Sequence, residues 1–218
     1  MVKEEESVCV PNFISADIIQ GLVKEVENYK WWSYAILPYN NVWTPEYFYN
    51  TPFGDADLQN ALSECNKHLS DKQFAYRFRR QKVDHYNDCV CVTCKLYETL
   101  SSFLVISALC KITGYKNLTP REIFLSNYSK GDVLTIHHDK NKGDIAVTFC
   151  FTRDWHPVYG GILHFCDSDN NIYKSVIPTL GAICIFKLDK NNIRNHFVSK
   201  INVPKNRYMI SAWYDIVE

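Results

Sequence analysis

This chain lacks a net charge, a long apolar run, an internal repeat and an evenly spaced cysteine frame, and each lack removes a class of function. Its 24 basic and 24 acidic side chains cancel over 218 residues, so no global field draws it to nucleic acid or to a membrane surface. No apolar run approaches the roughly 20 residues needed to span a bilayer. The acidic opening Met1-Val-Lys-Glu-Glu-Glu does not read as a signal peptide. The nine cysteines are odd in number and scattered, which argues against a disulfide scaffold and for a reducing compartment, cytoplasm or nucleus. With no low-complexity linker either, residues 1–218 read as one domain.

What is present changes character near Pro120. Before it, apolar residues recur at helical spacing in three stretches. Ile18, Ile19, Leu22, Val23 and Val26 follow a candidate cap at Ser15. Leu58, Leu62, Cys65 and Leu69 make a second stripe. A third helix is predicted from about Lys95 to Ile112, with Leu96, Leu100, Phe103 and Leu104 on its apolar side and Gly114 ending it. The aromatic stretch Trp31 to Phe53 reads as strands and loops. After Pro120 come eight short β-rich runs: 123–128, 133–137, 145–151, 162–165, 173–177, 182–186, 196–201 and 208–216. Gly, Asp and Asn clusters separate them. Eight strands at such spacing predict a jelly roll. The chain is thus expected to be α+β but mainly β: about 1–119 supplies helical support and substrate-side elements, and about 120–218 the roll.

The most specific chemistry lies in Tyr128-Ser-Lys-Gly-Asp-Val-Leu-Thr-Ile-His137-His138-Asp139, with His196 and Arg207 downstream. Two imidazoles and one carboxylate can occupy one face of an iron(II) ion and leave the other positions open. Alternation along a strand aims Val133, Thr135, His137 and Asp139 to one side and turns His138 away. On the last strand, Arg207, Met209, Ser211 and Trp213 share a face, which suits the wall of a polar pocket. A lone His-x-Asp is a weak signal; the combination with a second His and a later Arg, each beside a strand, carries the weight.

These residues resemble the Fe(II)- and 2-oxoglutarate-dependent oxygenases, in the prolyl-hydroxylase-like branch. The resemblance runs from about Glu122 to Asp215 and includes Tyr128-x-x-Gly131-Asp132, Asp154-Trp155, Gly160-Gly161-Ile-Leu163 and Arg207-Tyr-Met-Ile-Ser-Ala-Trp213. Pro11-Asn-Phe-Ile-Ser15 is similar to the start of such domains. The resemblance implies a double-stranded β-helix with iron held by His137, Asp139 and His196. It implies that 2-oxoglutarate pairs its far carboxylate with Arg207, whose planar fork binds carboxylates bidentately. Tyr128 falls where a hydroxyl meets the cosubstrate, and Ser211 is expected to line the pocket nearer the metal. The implied reaction is hydroxylation of a C–H bond, most simply of a prolyl residue in a protein or peptide, with ascorbate as a supporting reductant. The chain departs from the family pattern at Met209 and Cys150, where a serine and a tyrosine commonly assist.

Other features have plainer readings. Arg77-Phe-Arg-Arg-Gln-Lys82 reads as a solvated basic face, or else the rim of a substrate entry. Cys89-x-Cys91-x-x-Cys94, with His85 upstream, matches no familiar zinc module and reads as free thiols. His164 reads as a structural histidine and Gly160-Gly161 as a backbone requirement. Oxidative demethylation of nucleic acid and hydroxylation of a free amino acid are alternative activities; a non-enzymatic β-roll that binds a partner is a third reading. The sequence is silent on oligomeric state.

Overall fold

All eight strands predicted after Pro120 are present and antiparallel. They are β5 (Leu118–Tyr128), β6 (Val133–His137), β7 (Ile145–Cys150), β8 (Leu163–Cys166), β9 (Ile172–Val176), β10 (Ile183–Lys187), β11 (Asn195–Val198) and β12 (Arg207–Ile216). The largest shifts from expectation are the early start of β5 and the early end of β11, at Val198. The protein is described here by a computed structural model over residues 7–14, 16–37, 48–49, 55–84, 89–188 and 195–217. Ser15 and His85 lie outside the described residues.

Pairing follows the order β10-β7-β12-β5 and β6-β11-β8-β9, so consecutive strands alternate between two four-stranded halves. Only β8 and β9, a hairpin, stay in one half; the alternation elsewhere makes the double-stranded β-helix. The amino-terminal part adds strands as well as helices: β1 (Val8–Val10), β2 (Ser33–Leu37), β3 (Phe48–Tyr49) and β4 (Tyr76–Lys82). β4 pairs with β5 through Arg79–Lys82 and with β6 through Tyr76 and Arg77, so it bridges the two halves. The run Arg77–Lys82, read from sequence as a solvated face or an entry rim, is this central strand. Arg77 is bonded to the Gly131 carbonyl through Nε and Nη2 at 3.0 and 2.8 Å.

Among the described residues four helices support the roll: α1 (Ala16–Glu27), α2 (Ala56–Ser70), α3 (Val92–Ser101) and α4 (Phe103–Thr113). Asp55 caps α2, its Oδ1 accepting from the N–H groups of Asp57 and Leu58, which satisfies two of the orphan donors of the first turn. Ile19 and Val23 of α1, and Leu96 and Leu100 of α3, are buried in one cluster with Ile210, Ala212 and Tyr214 of β12. Each such aliphatic side chain contributes roughly 1.5–3 kcal/mol by its burial. The even-numbered face of β12 thus belongs to the core beneath the helices, and the odd-numbered face is left for the interior of the roll.

The single predicted helix over 95–112 is two helices. Ser102 has an extended backbone (φ −66°, ψ 149°) and caps α4 by accepting from Val105 N–H. The break rotates Phe103 and Leu104 out of the apolar stripe, leaving them 87% and 79% exposed. Ser prefers such caps because its short hydroxyl competes for backbone donors.

Candidate metal and cosubstrate site

His137 ends β6, His196 lies opposite it on β11, and Asp139 follows two residues after β6. One ligand atom from each of the three falls within 4.8 Å of the others. His137 Nε2 is 3.7 Å from Asp139 Oδ1 and His196 Nε2 is 3.5 Å from Asp139 Oδ2. The two rings sit 4.2 Å apart between centroids, tilted by 56°.

The strand irregularity that aims His137 was not foreseen. Leu134 pairs with Val198 and His137 with His196, so three steps on β6 face two on β11. That bulge places His137 on the same face as Leu134, not with Val133 and Thr135 as strict alternation requires. His138 is exposed and stands apart from the cluster.

Neighbouring groups prepare these side chains for a metal. His137 Nδ1 is 2.9 Å from the Thr135 carbonyl; donating its proton there leaves Nε2 as a bare lone pair facing the other ligands. Burial, reinforced by His196, lowers the His137 pKa to about 4, so the ring is neutral at physiological pH. Burial alone would raise Asp139, but hydrogen bonding from His196, both imidazoles and the Trp213 indole together bring it down to about 2. Trp213 Nε1–H donates to Asp139 Oδ2 at 3.1 Å. A carboxylate and two imidazoles are the donor set that suits iron(II).

One cavity of about 890 Å3 joins this triad to Arg207. The β12–β5 register sets its wall, pairing Arg207 with Tyr128, Met209 with Ser126, Ser211 with Phe124 and Trp213 with Glu122. Arg207 is 4% exposed, and among the described residues its guanidinium makes no hydrogen bond or ion pair; its Nε is a buried donor without an acceptor. Its guanidinium carbon lies over the Tyr128 ring, 5.1 Å from the centroid. Burial lowers the Arg207 pKa from its usual value, yet a guanidinium stays charged in proteins. A buried, unpaired cation costs several kcal/mol, so the cavity is built for an anion. Burial also raises the Tyr128 pKa, which keeps its hydroxyl a donor.

Trp155 and the Gly160-Gly161 element pack beside that arginine. Trp155 Nε1–H donates to the Gly160 carbonyl at 2.8 Å. Gly161 has φ +65°, and a Cβ there would lie 3.0 Å from Arg207 Cδ and 3.2 Å from Trp155 Cζ2. At Gly160, with φ +75°, a Cβ would strike the Lys200 carbonyl oxygen. Both positions need glycine for backbone reasons. His164 stacks on Phe197 and meets Ser175 Oγ at 2.8 Å, away from the triad.

Residues 123–215 match the family model described as the 2OG-Fe(II) oxygenase superfamily. That match takes in the roll and the candidate site but less than half of the chain, and it marks this region as similar to that superfamily. Its fold is similar to a prolyl-4-hydroxylase of Pseudomonas putida, at 14% identity and TM-score 0.54, over 95% of this chain and 91% of the other. It is also similar to a prolyl hydroxylase of Trichoplax adhaerens, solved with a hypoxia inducible factor peptide fragment, at 16% identity and TM-score 0.61, over 95% and 82%. The epimerase SnoN of nogalamycin biosynthesis aligns at 10% identity and TM-score 0.55, over 97% and 78%. No curated protein matches the chain. At these identities the solved structures show the fold, and the epimerase shows that the fold carries more than one reaction.

Sequence reasoning missed the wall that β4 supplies. Phe74, Tyr76, Phe78 and Arg80 all line the cavity, and Phe78 stacks on Tyr128 at 4.5 Å. The signal was an aromatic at every second position, hidden by the arginines between. Cys150, noted as a departure, accepts the Thr152 N–H through its sulfur at 3.4 Å.

Proposed function

We propose that the protein is an Fe(II)- and 2-oxoglutarate-dependent dioxygenase that hydroxylates a prolyl residue of a protein or peptide, working in the cytoplasm or nucleus. The observation that carries the cosubstrate is Arg207: a buried guanidinium that makes no hydrogen bond or ion pair among the described residues, in one cavity with the triad. His137, Asp139 and His196 would hold the iron, and Arg207 the far carboxylate of 2-oxoglutarate. Bound together, iron and 2-oxoglutarate supply oxidative decarboxylation, with succinate and carbon dioxide as coproducts, coupled to C–H hydroxylation.

The chain's own residues do the positioning. Arg207 neutralises and orients one end of the dicarboxylate, and the Tyr128 hydroxyl is placed to donate beside it. Ser211, opposite Phe124 on the same wall, supplies a hydroxyl between the arginine and Trp213. The Trp213 indole fixes the Asp139 carboxylate, and the Thr135 carbonyl fixes the His137 ring. Leu134, Phe78 and Phe186 keep bulk water from the interior, which strengthens each of these interactions.

A protein or peptide substrate fits the mouth better than a nucleic acid. Two of the cations that line it are paired with acids: Arg121 Nη1 lies 3.3 Å from Asp215 Oδ1 and Lys142 Nζ 3.0 Å from Glu122 Oε2. Those two paired charges offer less to a polyanion than free ones would. The likeness in fold to two prolyl hydroxylases supports the prolyl assignment.

Protein supplied with Fe(II), 2-oxoglutarate and ascorbate is expected to form succinate, faster with proline-containing peptides, which gain one oxygen by mass. His137→Ala should abolish both signals. Loss of methyl from a methylated oligonucleotide, with peptides untouched, would overturn the prolyl reading; no succinate under any condition would overturn the enzyme itself.

A further inference from the structure

The segment between β4 and α3 brings together a second set of ligand-type side chains, separate from the iron-type centre. The sulfur atoms of Cys89, Cys91 and Cys94 lie within 4.8 Å of one another. Cys91 Sγ is 2.9 Å from Cys89 Sγ and 3.5 Å from Cys94 Sγ. Spacing alone favoured free thiols here, and the three are free of disulfides; their convergence adds a reading that spacing did not show.

We infer that Cys89, Cys91 and Cys94 form a binding site for a thiophilic cation, zinc, that ties the end of β4 to the first turn of α3. Thiolates select zinc and similar soft ions, whereas the two imidazoles and carboxylate of the other centre suit iron. The two sites therefore sort metals by ligand chemistry. Cys91 is the N-cap of α3 and Cys94 sits in its first turn, where the helix dipole favours thiolate over thiol. Cys94 is buried, and its Sγ lies 3.7 Å from the carbonyl oxygen of Asp84, just beyond β4. Cys91 is exposed, which leaves room for a fourth ligand on the solvent side.

The geometry is within reach of a metal. Tetrahedral zinc with bonds of about 2.3 Å holds sulfurs about 3.8 Å apart, so the Cys89–Cys91 pair must open by roughly 0.9 Å. Rotation of an exposed Cys91 side chain supplies that. The benefit is structural: α3 carries Leu96 and Leu100 into the main core, and a metal at its first turn fixes how the helix enters.

The test is cobalt(II) titration of the reduced full chain, read by the intense near-ultraviolet sulfur-to-cobalt charge-transfer band. The band is expected in the wild type and in His137→Ala, and is expected to be lost in Cys91→Ser. Serine is a favoured N-cap and Cys91 is exposed, so that variant should keep its circular dichroism. Native mass spectrometry should show one zinc retained by His137→Ala and none by Cys91→Ser. No charge-transfer band in the wild type, a band that survives Cys91→Ser, or a Cys89–Cys91 disulfide in protein prepared under reducing conditions would overturn the inference.

Discussion

Trp213 donates its indole N–H to Asp139 Oδ2 at 3.1 Å, so a residue near the end of the last strand fixes a ligand that lies just beyond the second strand of the roll. The bond crosses between the two halves of the roll. It orients the one carboxylate of the triad, whose other oxygen faces His137.

Trp213→Phe removes that donor and keeps an aromatic ring against Phe124, its edge-on neighbour at 6.0 Å. Supporting partners of metal ligands typically contribute 10–100-fold in metal affinity. Metal titration should therefore show a fall of about tenfold or more, while 2-oxoglutarate affinity at saturating metal changes far less. Equal losses in both would mean that Trp213 acts through the packing of the wall instead.

Arg207→Met should separate stability from binding. Methionine fills much of the volume and removes a buried cation that makes no ion pair among the described residues. Replacing buried charge by apolar packing is commonly stabilising by about 1–4 kcal/mol, so the cosubstrate-free variant should melt higher than the wild type. Adding 2-oxoglutarate at about 100 times its Kd should stabilise the wild type by about 2.7 kcal/mol and leave the variant unmoved. Thermal melts with and without the cosubstrate check both halves of the prediction.

Asp132 gives a pH dependence whose sign is the reverse of the usual carboxylate case. Its Oδ2 accepts the Ser129 N–H at 2.7 Å in the turn before β6. Burial nevertheless pushes its pKa up to about 6, against the pull of that bond and of Arg77. The folded state then holds a proton that the unfolded state, with a pKa near 3.9, has already lost. Stability from this group is full below about pH 4 and falls as pH rises through about 6. Asp132→Asn should flatten the denaturation free energy across that window, on the order of 3 kcal/mol. An unchanged slope in urea titrations at several pH values would remove Asp132 as its source.

The roll was legible because each strand carries its own local pattern, with turn residues marking the ends. The shared wall of Arg207, Met209, Ser211 and Trp213 was legible too, since β12 alternates without interruption over that stretch. β4 was not, because its aromatics at 76 and 78 alternate with Arg77 and Arg79, and the basic residues dominate any local reading. The bulge on β6 was not legible either. It is set by how Leu134 and His137 meet Val198 and His196 on a strand about sixty residues away, and nothing in the local sequence records that meeting. The break at Ser102 left a local trace, a capping residue, inside a run whose apolar periodicity outweighed it.

Gly161→Ala would test whether the Gly-Gly element serves the cosubstrate or only the turn. A Cβ there would meet Arg207 Cδ at 3.0 Å and Trp155 Cζ2 at 3.2 Å, at a backbone φ of +65°. The backbone strain costs roughly 1–2 kcal/mol and lowers the melting temperature whatever the element's role. A shifted arginine has a further consequence that strain alone does not. The Arg207 stem must move along the cavity wall, away from the position in which its fork meets a carboxylate, while the triad on β6 and β11 is untouched. The KM for 2-oxoglutarate should rise about tenfold, a loss near 1.4 kcal/mol, with metal affinity within about twofold of the wild type. If the melting temperature falls and the KM stays constant, the glycine pair acts only through the turn, and Arg207 is positioned by its neighbours on β5 and β7 instead.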